Sequence, residues 1–345
     1  MKRILLLLIL QIFVASIARC QSFTVRDLVT LASQPSQNIS HFMYRNGFVS
    51  DNSNSEPGTI AASFTQKIKS KKNYDGPLRS VDLFEKQDAK YFIFHTSSLQ
   101  EYLDGAQRLI KSGFAFDKAV NRNPDTPMLF QKANISIEAI KELVDSNTRY
   151  TFTLKEKRIP DSIAYAEDLL QFDSREFLAS YFGEKNVRED LYYFSEKELK
   201  KCSVLFSGTK YQAAFIWGDE NNFANLSYIV VSNVLPTKGG ERNGLLEENN
   251  AWKFRSGIHS GMRIKDLLRL NEMDFDMYGN KSDLAFMVKP GSAGKIDFKK
   301  TAIMFRCINC YDNKIFDQPE ISALDIAKAN LPLNVFDIII YPSER

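Results

Sequence analysis

The sequence predicts an α+β protein in which units of a helix pair and an antiparallel β-sheet are repeated. Short amphipathic helical patterns are followed each time by strand-like runs. A helix-then-sheet order is typical of α+β proteins with antiparallel sheets. The sequence also lacks the glycine-rich turn between strand and helix that marks nucleotide-binding parallel sheets.

Three segments carry the pattern of an amphipathic helix, a polar break, aromatic residues and a glycine, namely 27–47, 168–183 and 266–279. In each segment the aromatic residues are predicted to anchor a second turn or helix, and the glycine is predicted to end it. The spacings differ among the three segments. Chance similarity among amphipathic helices therefore stays open as an alternative to internal repetition.

The first segment is followed by a predicted mixture of strands and one longer helix. The helix is predicted at 98–112, because Ser97 or Ser98 can cap its N-terminus and Gly113 can end it. A polar turn is predicted at 145–147. The strand-like runs before and after these elements are 59–68, 90–96, 127–144 and 149–157, with a helix at 140–144 as an alternative.

The second half of the chain continues with strands and a further helix. A hairpin turn is predicted at 208–210 and a helix at 322–329. The predicted strands are 190–195, 202–207, 211–218, 226–232, 284–289, 301–307 and 335–341. Residues 236–250 are rich in Gly, Asn, Glu and Lys and predict an exposed linker. The predicted domains are an N-terminal α+β unit at 21–160, a second unit at 161–235, the linker at 236–250, and a C-terminal unit at 251–345.

The first twenty residues have the basic start, apolar run and small residues of a secretory signal peptide, in that order. A basic start precedes an apolar run at 4–17, which is shorter than the roughly twenty residues of a membrane span. Small residues predict cleavage between Cys20 and Gln21. The alternatives are cleavage before Arg19, an uncleaved anchor, and lipidation of Cys20, for which Arg19 is a poor neighbour. We therefore expect an exported protein that is periplasmic, outer-membrane-associated or secreted, with no transmembrane segment in the mature chain.

Cleavage at this point leaves 325 residues, a length that predicts two or three domains. It removes three of the 45 cationic side chains and none of the 42 acidic ones, so the mature chain has no net charge. A neutral protein has no overall field that attracts phosphate backbones. Nucleic acid is therefore not an expected partner, and the basic stretch at 67–72 is interpreted as a solvated strand end and loop.

Three cysteines remain after cleavage, at Cys202, Cys307 and Cys310. An odd number in an oxidising compartment predicts one disulfide and one free or buried thiol. Cys307 and Cys310 follow a predicted strand instead of opening a helix, which favours a structural disulfide over the alternative of a redox motif. Cys202 is then expected to be buried or unreactive.

The sequence predicts no metal site, cofactor or catalytic residue. The three histidines, His41, His95 and His259, have no second histidine at metal-ligand spacing. His95 alternates with phenylalanines in a predicted strand and is interpreted as a half-exposed structural residue. Residues 274–279 lack two of the oxygen ligands of a calcium loop. No nucleophile elbow is present, although a hydrolase or thiol enzyme of another type stays an alternative.

Large aromatic residues on predicted strands are candidate contact anchors for a protein partner, namely Tyr192, Tyr193, Phe215 and Trp217. Packing in the core is the alternative and is favoured for at least half of them. The chain is therefore expected to be a non-enzymatic protein-interaction module whose partner is another envelope or extracellular protein. A small-ligand or lipid carrier is a further alternative, which an interior cavity would favour.

The segment 257–262, followed by a predicted helix at 264–270 and Asn271, resembles the opening of small cell-envelope modules of the BLIP/SmpA-like group. That group folds as a helix-loop-helix packed on an antiparallel sheet, often in tandem. The resemblance implies this fold and non-enzymatic protein binding, and it transfers no catalytic residue. It covers roughly 25 residues, and its glycine-methionine opening is absent from the first two segments. The whole chain also resembles secreted proteins of Bacteroidetes.

Overall fold

The computed structural model describes residues 23–50, 62–69, 75–86, 89–116, 126–144, 147–195, 198–232, 249–307 and 313–342. The chain divides into two compact units, with the boundary between Arg158 and Ile159. Both units are mixed α+β, and the described strands in their sheets pair antiparallel. The predicted signal peptide and most of the predicted linker lie outside the described residues.

The N-terminal unit combines three described α-helices with a seven-stranded sheet. The helices are α1 (Val25–Ala32), α2 (Ser36–Arg45) and α3 (Leu99–Lys111). The strands are β1 (Val49–Ser50), β2 (Ala62–Lys69), β3 (Asp75–Lys86), β4 (Ala89–Thr96), β5 (Met128–Lys132), β6 (Ile135–Val144) and β7 (Asn147–Lys157). Their order across the sheet is β1-β2-β3-β4-β7-β6-β5.

Side-chain caps set where two of these helices begin. The Thr24 hydroxyl accepts a hydrogen bond from the backbone of Asp27, whose carboxylate accepts one from the Thr24 backbone, a capping box at the start of α1. Ser98 accepts a hydrogen bond from the backbone of Glu101 at the start of α3, which confirms Ser98 as an N-cap. Gly113 follows α3 with φ of +84°, a left-handed conformation that favours glycine at a helix end.

The core of the N-terminal unit lies between its helices and one face of the sheet, here called the inner face. Buried and half-buried positions alternate along most of β4, so Phe92 and Phe94 point to the inner face, where Leu28 of α1 and Leu109 of α3 join them in one cluster. The opposite side of the sheet is called the outer face. On β4 it carries Tyr91, Ile93 and His95, all of which are half-buried.

The C-terminal unit combines a six-stranded sheet with short helices. Its α-helices are α4 (Arg175–Phe182), α5 (Ile264–Asn271) and α6 (Ala323–Lys328), and its 3-10 helices are Ala166–Gln171, Glu184–Asn186 and Lys314–Asp317. The strands of the large sheet are β8 (Val187–Ser195), β9 (Glu198–Leu205), β10 (Ala213–Asp219), β11 (Ala224–Ser232), β13 (Thr301–Cys307) and β15 (Leu333–Ile340), in the order β13-β15-β11-β10-β9-β8. A separate pair is formed by β12 (Asp276–Tyr278) and β14 (Glu320–Ser322).

The strand order corrects the predicted domain division. Strand β15 lies between β13 and β11, so the predicted domains at 161–235 and 251–345 contribute to one sheet and belong to one unit. The sequence could not show this, because β11 and β15 are separated by about a hundred residues of chain and meet only through backbone pairing.

The structure does not show the predicted repetition of helix pairs. The first segment forms α1 and α2, and the second forms a 3-10 helix followed by α4. In the third segment α5 is followed by strand β12, because Met277 pairs with Ile321 of β14 and is buried there. The predicted second helical turn is therefore wrong for 275–279.

One long strand was missed, and two predicted strands differ from the structure. Strand β3 was not predicted, because the inward-facing position before Val81 is occupied by Arg79, which is buried although it is not apolar. The predicted run 127–144 is a hairpin of β5 and β6 that turns at Ala133, a residue with φ of +51°. The predicted strand at 284–289 makes only isolated bridges, at Met287 and Val288.

Candidate functional site

The structure buries three of the four predicted contact aromatics. Phe215 and Trp217 of β10 and Tyr192 of β8 are buried in the core of the C-terminal unit, so these three are not contact residues. Residues 213–217 of β10 are buried on both of its faces, and the indole nitrogen of Trp217 donates a hydrogen bond of 3.0 Å to the Ser203 hydroxyl. Tyr193 is 43% exposed and lies opposite the exposed Leu199 of β9.

The cysteines occupy buried positions where the structure describes them. Cys202 is free and buried in β9, and burial raises the pKa of its thiol to about 12, with the nearby Asp190 carboxylate adding to the shift. The burial of Cys202 is as predicted, and a raised pKa makes a thiol a poor nucleophile at neutral pH. Cys307 is buried at the end of β13, and Cys310 lies outside the described residues, so their disulfide stays a prediction.

The histidines lie apart from one another. His41 and His259 are exposed, and Nδ1 of His259 lies 2.9 Å from the Ser260 carbonyl oxygen. Within the described ranges, no group of three or more His, Cys, Asp or Glu side chains converges as metal ligands. In the same part of the chain, no helix is both long enough and apolar enough to span a membrane.

A chain of polar contacts, here called the polar ladder, crosses the outer face of the N-terminal sheet. Ser63 donates a hydrogen bond of 2.7 Å to Asp82, and the second carboxylate oxygen of Asp82 lies 3.6 Å from Nε2 of His95. Nδ1 of His95 lies 2.9 Å from the Thr151 hydroxyl, which donates to Glu142 at 3.2 Å. The ladder therefore links strands β2, β3, β4, β7 and β6.

Asp82, His95 and Thr151 have the order of an acid, a base and a hydroxyl that acyl-transfer enzymes use. Such a nucleophile must be reachable by substrate, whereas Thr151 is 4% exposed and its hydroxyl is already engaged with Glu142. The arrangement therefore suits the cross-linking of strands better than acyl transfer, which agrees with the interpretation of His95 as a structural residue.

Burial of Asp82 would by itself raise the pKa of its carboxyl group. The close approach of His95, the hydrogen bond from Ser63 and the positive charge of Arg149 together outweigh burial and lower the pKa below its ordinary value. A carboxyl group whose pKa is lower in the folded chain than in the unfolded chain stabilises the fold above the unfolded pKa. This stabilisation is lost as the pH falls through the folded pKa.

We predict that Asp82→Asn lowers the stability of the N-terminal unit by about 1 kcal/mol at pH 7, the usual worth of such hydrogen bonds. The difference from the wild type should begin to shrink as the pH falls below the unfolded pKa of about 4, and it should be lost as the pH falls through the lowered folded pKa, where the native wild-type carboxyl group also becomes protonated. Hydrogen exchange of the β3 and β4 amides measures the stability difference between variant and wild type at pH 7 and at pH 3. Glu138→Gln, at an exposed position of β6, is the matched control. An Asp82→Asn penalty that is larger at pH 3 than at pH 7 would contradict this assignment.

A second feature of the outer face is here called the aromatic–lysine cluster, formed by Phe84, Lys86, Tyr91 and Lys155. Phe84 of β3 and Tyr91 of β4 are cross-strand partners, and their rings stack with centroids 4.7 Å apart and planes 6° apart. The Lys86 ammonium lies 5.8 Å from the Phe84 centroid and 5.3 Å from the Tyr91 centroid. The Lys155 ammonium of β7 lies 5.9 Å from the Tyr91 centroid. Both rings are half-buried, so part of each stays accessible to a partner.

The cluster could not be recognised from the sequence without β3, which was not predicted. A short signal was present, since the apolar Val81 and Leu83 alternate with the polar Ser80 and Asp82. Comparison with protein-family models, with curated proteins and with solved structures finds no match to this chain. The function is therefore inferred from the geometry of the chain itself.

Proposed function

We propose that this chain is an exported, non-enzymatic protein-interaction module and that the outer face of the N-terminal sheet is its contact surface. The aromatic–lysine cluster is the observation that supports this proposal most directly. It places a half-buried tyrosine and phenylalanine, already held in one arrangement, on a broad face of seven strands.

Rigid aromatic side chains are favourable contact residues because they offer a large area and lose few rotamers on binding. Tyr91 is held by stacking on Phe84 and by two lysine ammonium groups within 6 Å of its ring. Cation–π contacts of this kind are worth about 0.5–1 kcal/mol at exposed sites. The side chains of this surface would therefore need little rearrangement when a partner binds.

The charges of the cluster indicate the chemistry of the partner. Lys86 and Lys155 surround the aromatic pair, so the complementary surface would present carboxylates beside an apolar patch. We propose another envelope or extracellular protein with such a surface. The signal-peptide pattern of residues 1–20 supports an envelope or extracellular location. The resemblance of 257–262 to BLIP/SmpA-like modules supports non-enzymatic protein binding.

The proposal is tested by placing a photo-crosslinking amino acid at Tyr91 in the full-length protein, expressed in its own host. A second version carries the crosslinker at Tyr193, an exposed aromatic residue of the other unit. Crosslinked proteins are identified by mass spectrometry, and the partner is then purified and titrated against the wild type. We expect a discrete partner at Tyr91 that is absent at Tyr193.

Tyr91→Ala should raise the Kd for this purified partner about tenfold or more, because central aromatic contacts dominate interface energies. Lys86→Glu with Lys155→Glu should weaken binding further and reverse its dependence on salt. Leu143→Ala, at a 77% exposed site on the same sheet outside the cluster, is the matched control and should leave Kd unchanged. A partner that crosslinks only at Tyr193, or whose Kd is insensitive to Tyr91→Ala, would overturn the proposal.

A further inference from the structure

A cleft of about 400 Å³ lies on the helix side of the N-terminal unit, between α1, the C-terminal end of α3 and the turn that joins β5 to β6. Its volume falls within the range of about 300–1,000 Å³ that is usual for small-molecule sites. Three segments that are distant along the chain form its walls. It does not include any residue of the aromatic–lysine cluster.

The floor of the cleft is apolar. Val29 of α1, Leu109 of α3, Phe114 and Ile135 of β6 line it, and Leu109 and Phe114 are buried. Apolar surface that remains accessible in a concave site is favourable for a hydrocarbon group, because burying such surface gains about 25 cal/mol per Å².

The rim of the cleft is cationic. Arg26, Arg108 and Lys132 line it, and no lining residue is an aspartate or glutamate. Arg26 and Val29 are three residues apart on α1, so they lie on the same side of that helix. The cationic rim and the apolar floor therefore face the same space.

The three cations differ in what they already contact. The Lys132 ammonium donates a hydrogen bond of 2.7 Å to the Ser112 carbonyl oxygen and lies 5.8 Å from the Phe114 centroid, so it holds the β5–β6 turn against the end of α3. Across the described ranges, the guanidinium groups of Arg26 and Arg108 form no ion pair or hydrogen bond. By contrast, Arg79 and Arg175 each pair with a carboxylate.

We propose that this cleft binds an amphipathic anion, with a carboxylate or phosphate headgroup at Arg26 and Arg108 and an aliphatic tail along the floor. A guanidinium group presents two parallel N–H donors that match the oxygens of either headgroup. The Lys132 ammonium is already engaged with the protein and is not assigned to the headgroup. This site is independent of the protein contact surface proposed above.

The first test titrates the full-length protein with octanoate, decanoate and dodecanoate by calorimetry, below the concentrations at which they form micelles. Each methylene that enters the cleft should tighten binding about fourfold. Dodecyl phosphate, compared with dodecanoate, shows which headgroup binds more tightly. Dodecanol tests the contribution of the charge, and inorganic phosphate tests the contribution of the tail. We expect both dodecyl anions to bind far more tightly than dodecanol or inorganic phosphate. Equal affinity for octanoate and dodecanoate, or no binding of either dodecyl anion, would overturn the inference.

The second test uses the double variant Arg26→Gln, Arg108→Gln, in which both altered side chains are exposed and the fold should persist. Its Kd for dodecanoate should rise at least tenfold, while weak binding of dodecanol stays unchanged. Lys111→Gln, an exposed cation on α3 that does not line the cleft, is the matched control. Methyl NMR should show shifts at Val29 and Ile135 on addition of dodecanoate. Shifts confined to other methyl groups, or an unchanged Kd in the double variant, would assign the binding elsewhere.

Discussion

Replacing Arg79 by methionine should destabilise the N-terminal unit by about 3–5 kcal/mol, the cost of breaking a buried ion pair from one side. Arg79 is 3% exposed on the inner face of β3, where its guanidinium pairs with Glu101 of α3. It also donates a hydrogen bond of 2.9 Å to Gln66 of β2. Glu101 in turn accepts a hydrogen bond of 2.6 Å from Thr96 of β4. Without Arg79, the carboxylate of Glu101 would remain largely buried with no compensating charge.

Hydrogen exchange of the amides in the N-terminal unit measures the stability lost in Arg79→Met. Both tryptophans, Trp217 and Trp252, lie in the C-terminal unit, so the denaturation curve from tryptophan fluorescence should stay unchanged as an internal control. The double variant Arg79→Met, Glu101→Gln should recover much of the stability, because neither charge is then left unpaired. Arg149→Met breaks a more exposed pair with Glu142, with side chains 43% and 34% exposed, and should cost about 1 kcal/mol or less. A penalty for Arg79→Met as small as that for Arg149→Met would show that burial of the pair has no energetic consequence.

Gly279→Ala should destabilise the C-terminal unit by about 3 kcal/mol, because the added methyl group has no space. A Cβ atom at this position would overlap the carbonyl oxygen of Gln318 and approach that of Phe316. Both are backbone atoms, so relief requires displacement of the chain that leads into β14. The Gly279 amide also donates a hydrogen bond of 3.0 Å to the Pro319 carbonyl oxygen at the same point. Denaturation followed by tryptophan fluorescence measures the loss.

Gly291→Ala is the matched control in the same unit, since no atom lies within 4 Å of its added Cβ. This substitution should leave stability unchanged or raise it by up to about 1 kcal/mol through the reduced entropy of the unfolded chain. Equal effects of the two substitutions would mean that the close approach of Gln318 does not restrict Gly279.

The glycine pattern shows how a correct observation in the sequence led to a wrong structural interpretation. Gly279 was predicted to end a helix, and a glycine is indeed required there. Glycine is required because the backbone at 316–318, distant along the chain, leaves no space for a side chain. Residues 276–278 form a strand, so there is no helix for Gly279 to end. Gly113, by contrast, follows a helix as predicted, because its role depends only on the adjacent turn of α3.

Local chemistry in the sequence determined the α+β class, the start of α3 at Ser98 and the inward and outward alternation of β4. Each of these depends on residues within one or two turns or pleats of one another, so neighbouring residue types are sufficient to predict them. The burial of Cys202 was also predicted, from the odd number of cysteines and the usual burial of a free cysteine.

Only the tertiary structure decided which strands are neighbours, and several functional assignments followed from that. The place of β15 between β13 and β11 joins two predicted domains into one unit. The covering of both faces of β10 removes Phe215 and Trp217 from the surface, while the pairing of β3 with β4 brings Phe84 beside Tyr91. The cleft at Arg26, Arg108 and Lys132 likewise requires three distant segments to meet. Contacts of this kind depend on the free energy of packing the whole unit, which the composition of a short segment does not encode.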